Sequence, residues 1–282
     1  MKILKANRGS EALDLNYPLL AQYLERFIRE ELAWRGYQKG LIGVSGGVDS
    51  ALTLALAVRA LGAENVHAVA MPHQRSAPTS FEHAKLVCDA FGVKLDTVDI
   101  TPIVEGYAQT DPEMTARRKG NLMARSRMMV LFDQSEKHHA LTLGTGNKTE
   151  RLFGYFTWHA DDTPPINPLG DLYKTQVWGL SEHVGVPDTV LHKAPTADLE
   201  AGQTDEGDLG ITYKRADVIL EHYLKGYPDA YIESLGYTAA EIERVKTLVN
   251  RTHWKRTTPA TAVVSSTAIN EFYLRPLDFR IK

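Results

Sequence analysis

Leu41-Ile42-Gly43-Val44-Ser45-Gly46-Gly47-Val48-Asp49-Ser50, LIGVSGGVDS, decides how this chain folds. The apolar run Leu41–Val44 reads as a short buried strand. It breaks at Gly46-Gly47, where glycine permits backbone torsions closed to other residues. Val48-Asp49-Ser50 then opens a helix rich in alanine and leucine, Ala51 to Ala57. Strand, Gly-rich turn and helix start together present several backbone N–H groups to an anion. The Ser45 and Ser50 hydroxyls add donors. Asp49 is the odd member, because a carboxylate repels a phosphate unless a cation lies between them. Mg²⁺ prefers oxygen ligands and commonly bridges a carboxylate to substrate phosphates. The bland alternative is an ordinary strand–turn–helix with Ser or Asp as N-cap. The loop is not a Walker A sequence, since no Gly-Lys-Ser/Thr follows.

Working outward, Leu15–Gly40 carries Leu19, Leu20, Tyr23, Leu24, Phe27, Ile28 and Leu32 at helical spacing. After the helix that ends near Leu61, Asn65–Met71 reads as a second strand. Its loop, Met71 to Ser76, falls at the carboxyl end, where α/β sheets bind ligands. Thr79–Phe91 reads as a helix and Val93–Ile100 as a third strand. Arg117–His138 is a long helix, and Ala140–Leu143 a fourth strand. These β-α units in series predict a doubly wound parallel sheet of Rossmann-like α/β class. The fourth strand runs into Gly144-Thr145-Gly146-Asn147-Lys148-Thr149-Glu150, a second Gly-rich loop. Glu150 is either a second protein oxygen for Mg²⁺ or an acid favoured by the helix dipole. The first turns of the long helix carry Lys119, Asn121, Arg125 and Arg127, with Asn121 and Arg125 one turn apart; they form either a solvated basic face or a ligand-binding edge.

Gly154–Asp171 and the acidic Ala194–Gly210 read as irregular loops. Leu172–Val184 reads as a helix with Lys174 in its first turn, an unfavourable place for a lysine unless an anion compensates. Tyr213–Lys225, Asp229–Leu235 and Thr238–Thr252 read as helices. The expectation is one domain over residues 1–282, with a core of about 40–215, a helical C-terminal appendage of about 213–252 and an irregular tail from His253. Of the 282 residues, 43% are hydrophobic and 24% charged, as in a soluble globular protein. A net charge of −3 gives no general pull toward nucleic acid. Cys88 is the single cysteine, which leaves no disulfide framework and no zinc-thiolate cluster. No run suits a signal peptide or membrane span, so a cytoplasmic location is expected.

Ser45–Ser50 resembles the SGGxDS pyrophosphate loop of the N-type ATP pyrophosphatases. Four further strings narrow the resemblance to ammonia-dependent NAD synthetases. Lys119 to Met128, KGNLMARSRM, is similar to their KGNxxARxRM helix. Gly144 to Glu150 is similar to their GTxxxxE loop. Pro168 to Val177, PLGDLYKTQV, resembles the segment with their ATP-binding lysine. Pro195 to Leu199, Gln203 to Glu206 and Leu209-Gly210 resemble their mobile phosphate loop.

The resemblance implies amidation of deamido-NAD by ammonia through an acyl-adenylate, with ATP as co-substrate and Mg²⁺ as metal. It implies that Gly43, Val44, Ser45, Gly46, Gly47, Val48, Asp49, Ser50, Thr145, Lys174 and Thr196 bind ATP. Asp49 and Glu150 would hold Mg²⁺, and Asp49, Glu150 and Lys174 would carry the chemistry. Asn121, Arg125, Trp158, Asp161, His253 and Lys255 would face deamido-NAD. A homodimer is implied, with the N-terminal helix as one candidate contact. No glutaminase domain is attached, so free ammonia or a separate glutaminase subunit must supply nitrogen.

One segment departs from the family pattern FTKYGDGGxD. Here Phe156-Thr157 is followed by Trp158-His159-Ala160-Asp161-Asp162-Thr163-Pro164-Pro165. The usual lysine is Trp158 and the usual second aspartate is Pro165. That departure is the main support for a rival reading, a related pyrophosphatase acting on a different carboxylate. The lack of a cysteine pair and of a basic stripe argues against tRNA thiolation. A nucleotide-sensing module that is not an enzyme would not need Asp49, Glu150 and Lys174 together.

Overall fold

The computed structural model describes residues 13–196, 204–257, 259–265, 267 and 268. Four parallel strands form its sheet in the order β3-β2-β1-β4: β1 (Gly40–Gly43), β2 (Val66–Ala70), β3 (Leu95–Thr97) and β4 (Leu141–Thr142). Gly40 pairs with Val66 on one side and with Leu141 on the other. Successive strand residues point to opposite faces. Ile42, Val66 and Ala68 therefore join the cluster under helices α1 (Tyr17–Trp34), α2 (Val48–Leu61), α3 (Pro78–Ala90) and α7 (Lys174–Val184). Leu41 and Val69 face the other way, and α5 (Ala116–His138) packs there with α4 (Thr101–Ala108). Helices on both faces of a parallel sheet make the expected doubly wound fold.

The N-terminal helix is shorter than its periodicity predicts. Asn16 caps it by accepting from Leu19 N–H at 3.2 Å, and Gly36 at φ 81° ends it. Its buried Leu20, Leu24, Ile28 and Leu32 are spent against α2 and α7, each contributing roughly 1.5–3 kcal/mol. On its outer face Tyr23 and Trp34 are large and exposed, with half-buried Phe27 between them. The third strand is also shorter than Val93–Ile100. Asp99 turns the chain by accepting from Thr101 N–H at 2.8 Å, and Pro102 starts α4, a helix the periodicity did not reveal.

A second core lies in the helical C-terminal part. Phe153 of α6 (Lys148–Phe153) and Leu209 of α9 (Asp205–Leu209) join α10 (Tyr213–Leu224), α11 (Asp229–Ser234) and α12 (Ala239–Arg251) around Ile219, Leu220, Ile232 and Val245. Helix α9 falls inside the stretch expected to be irregular. The tail also departs from expectation, since His253–Arg256 form one 3-10 turn. That turn satisfies the orphan carbonyls of two helix ends. Arg256 donates to Leu152 O at 2.7 Å and Val249 O at 2.8 Å, and Lys255 to Gly154 O at 2.6 Å. Among the described residues no helix is long and apolar enough to cross a membrane.

Candidate active site

The carboxyl ends of β1, β2 and β4 open on a cavity of about 430 Å³. Gly43 to Val48, with the exception of Gly46, line it together with Asp49 and Ser50. Gly46 is needed for shape. Its φ is 78°, and a Cβ there would lie 2.2 Å from Ser80 O. Ser50 Oγ donates to Gly47 O at 3.0 Å and lies 3.1 Å from Ser45 Oγ, so the two hydroxyls knit the loop. No side chain caps the N-terminus of α2. Its first-turn amides and positive dipole end are left for a ligand.

The second Gly-rich loop forms the facing wall. Gly144 N–H donates to Ile166 O at 2.7 Å, and Asn167 holds Gly146 O at 2.8 Å. Asn147 is fully buried and caps α6, accepting from Glu150 N–H at 2.9 Å. The same Asn147 donates to Asp49 Oδ1 at 2.8 Å. Glu150 is thus an early-helix acid and a wall of the cavity at once.

Lys174 joins the two loops. It is 2% exposed, and its Nζ lies 2.5 Å from Asp49 Oδ2 and 3.1 Å from Glu150 Oε1. Burial alone would lower its pKa, but the Asp49 and Glu150 carboxylates outweigh burial and raise it, which keeps the ammonium charged. Burial raises the Glu150 carboxyl to about 7; Lys174 opposes the shift, and Asp49 and Asp205 add to it. Asp217 of α10, fully buried, fixes both helix starts. It accepts from Thr149 Oγ1 at 2.6 Å and from Thr175 N–H and Oγ1 at 2.9 and 2.8 Å. Burial raises its carboxyl to about 6.

Thr145, Lys174 and Thr196 line the cavity. Ala197, Asp198, Leu199 and Gln203 of the acidic loop lie outside the described residues. Of the six residues expected to face a dinucleotide, only Asp161 lines the cavity. The others sit behind it. Asn121 Oδ1 accepts from Thr157 Oγ1 at 3.1 Å, and Arg125 donates to Trp158 O at 3.1 Å. That face of α5 therefore clasps the 157–158 backbone. Trp158 packs at a tilt against His159, with ring centroids 3.9 Å apart, and meets Trp254 edge-on at 5.2 Å. His253 is exposed. Lys119 pairs with Glu105 at 2.7 Å and so joins α5 to α4.

Sequence reading assigned no role to Asn147 and Asp217, two groups that build this site, whereas Arg127 of the basic helix start does reach the cavity as a ligand-binding edge would. The pattern Asn147-Lys148-Thr149-Glu150 was a readable capping box. Arg127 lines the cavity and donates to Met71 O at 3.1 Å, shaping the loop after β2. Asp217 lies far along the chain and carries no local signal, while Asp205 falls in the Gln203–Glu206 stretch that resembles the mobile phosphate loop.

The family model for NAD synthase matches residues 20–259. An ammonia-dependent NAD(+) synthetase of Trichlorobacter lovleyi is 46% identical over 259 residues, 92% of this chain and 95% of the relative. Among solved structures, NMN synthetase from Francisella tularensis matches with a TM-score of 0.78 at 30% identity, over 88% of this chain and 99% of its own. An ammonia-dependent NAD synthetase from Campylobacter jejuni, in complex with nitrate, matches with a TM-score of 0.75 at 26% identity, over 88% of this chain and 100% of its own. With loops, lysine and carboxylates converging on one cavity and with these matches along most of its length, the chain belongs to the NAD synthase family.

Proposed function

We propose that this protein amidates deamido-NAD with ammonia, cleaving ATP to AMP and pyrophosphate and releasing NAD. The observation that carries the reading is the meeting of the uncapped α2 N-terminus with Asp49, Glu150 and Lys174 in one cavity. The nicotinate carboxylate attacks the α-phosphorus, pyrophosphate leaves, and ammonia then displaces AMP from the mixed anhydride. No enzymic nucleophile is required. Ser45, Gly47, Ser50 and the α2 amides hold the β- and γ-phosphates as they depart. Lys174 neutralises charge on the triphosphate, with Thr145 and Thr196 at its edges.

Among the described residues no three acidic, histidine or cysteine side chains gather closely enough to hold a metal alone. Mg²⁺ needs only one or two carboxylates when phosphates and water complete its shell. Asp49 and Glu150, both bound to the Lys174 ammonium, fit that requirement. Mg²⁺ arriving with ATP would shield the phosphates and polarise the α-phosphorus. Asp161 accepts from the dinucleotide at the cavity's rim, where Trp158, Lys255 and His253 flank it and Asn121 and Arg125 set the loop. The working form is a homodimer. Cys88, buried with its thiol pushed up to about 12 by burial, suits a reducing cytoplasm.

A second reading has two observations in its favour. The segment Trp158–Pro165 lacks the usual lysine and second aspartate, and a solved neighbour is an NMN synthetase. The acceptor would then be nicotinate mononucleotide. A product assay with ATP and Mg²⁺ separates these, offering each acceptor with ammonium or with glutamine. The expected result is NAD from deamido-NAD and ammonium. Turnover confined to the mononucleotide would install the second reading, and no turnover on either would overturn both.

A further inference from the structure

Asp205 stands in the cavity with no task in the chemistry above. It is 4% exposed and opens α9. Its Oδ2 accepts from the Tyr213 hydroxyl at 3.0 Å. Its Oδ1 is buried and accepts no hydrogen bond among the described residues. The Tyr155 hydroxyl donates to Asp208 at 2.8 Å and is also in hydrogen-bonding contact with the Asp205 carboxylate, yet Oδ1 is left without a donor. Leaving a buried carboxylate oxygen without a donor is costly. The wall around it is crowded with negative charge: Asp49, Glu150 and Asp205 share the single Lys174 ammonium, whose Nζ is committed to the first two. An orphaned acceptor in such a wall is suited to a small cation that brings its own N–H donors.

Resting on the amidation reading, we propose that Asp205 binds the incoming ammonium ion through Oδ1 and takes its proton. One ammonium N–H bond breaks, the proton goes to Oδ1, and the electron pair stays on nitrogen. That pair forms the C–N bond at the acyl carbon, and the C–O bond to the adenylyl phosphate breaks as AMP leaves. A second nitrogen proton passes to solvent as the adduct collapses to the amide. Tyr213, anchored in the second core, aims the carboxylate.

The two half-reactions can be read separately. Deamido-NAD-dependent exchange of labelled pyrophosphate into ATP needs no ammonia and reports adenylation. Asp205→Asn keeps an acceptor for Tyr213 but offers an N–H group where ammonium needs an oxygen. Ammonium-dependent amide formation is expected to fall about 100-fold or more, while exchange stays within about threefold. Hydroxylamine, a free base at neutral pH, should still capture the acyl group. Asp205→Ser serves as second variant should the amide perturb folding, with the same pattern expected. Loss of exchange together with amidation in both variants would assign Asp205 to ATP and overturn the proposal, as would unchanged ammonium turnover. Absence of exchange in the unmutated protein would instead refute the amidation reading itself, and this proposal with it.

Discussion

Two capping boxes in this molecule share one local design and behave oppositely. In α6, Asn147 caps the helix and Glu150 reaches back to it; in α12, Thr238 and Glu241 do the same. The two glutamate side chains keep similar exposed areas, 18% and 24%. What differs is where that area faces. Glu150 faces an enclosed cavity beside Asp49 and Asp205, and its carboxyl is raised to about 7. Glu241 lies on the outer surface against Arg215, whose NH2 donates to it at 2.8 Å, and that bond lowers its carboxyl to about 2. One arrangement makes a poised acidic wall, the other a helix anchor. Local sequence sets the cap, and the surroundings set its chemistry.

The largest break in this symmetry is expected from the glutamates. Glu150→Gln should lower turnover by about 10²–10³-fold with the fold intact, whereas Glu241→Gln should leave turnover unchanged. Steady-state rates with circular dichroism on both variants check this. The caps come next. Thr238→Ala should cost about 1 kcal/mol of stability and no activity. Asn147→Ala should cost a similar stability and also lower turnover about 10–100-fold, because Asn147 orients Asp49. Denaturant titration beside kinetics separates the two.

A smaller effect is expected at the rim. Trp158→Ala should weaken deamido-NAD by about 1 kcal/mol, the low end for lost stacking on a base, with ATP affinity unchanged. If Trp158 is only an anchor for its loop, both apparent affinities worsen together. The smallest effect concerns acid stability. The Glu241 carboxyl is depressed in the folded state, so its stabilisation is present above its ordinary pKa and lost as pH falls through about 2. Asp217 is raised, so its contribution is present below its ordinary pKa and lost as pH rises through about 6. Stability against pH should therefore flatten on the acid limb in Glu241→Gln, and across about pH 4–6 in Asp217→Asn.

The parts of this fold legible in sequence were those with short-range cause. The strand–turn–helix at Leu41–Ser50, the parallel sheet and the helical appendage all follow from periodicity and glycine placement. Helix α4 hid behind a strand pattern because Val98 and Ile100 continue the apolar run up to the turn at Asp99. The meeting of Asp49 with Glu150 was legible as two Gly-rich loops at the ends of parallel strands, whereas the place of Lys174 came from resemblance, since spacing along the chain carries no distance information. Asp217 was invisible for the same reason, and the Gln203–Glu206 string did not tell where Asp205 would sit in the cavity. Both act across the contact between the sheet layer and the second core, which no local pattern encodes. Lys255 and Asn121, expected at a substrate, hold backbone carbonyls and a loop hydroxyl, because a buried loop must satisfy its polar groups before it can serve a ligand.

In the proposed reaction this cavity joins the acceptor carboxylate to AMP. Deamido-NAD labelled with ¹⁸O in its nicotinate carboxylate tests it directly, with ATP, Mg²⁺ and ammonium. One labelled oxygen should appear in the phosphate of each AMP released, with unlabelled pyrophosphate. Unlabelled AMP, or label in pyrophosphate or free phosphate, would contradict the claim.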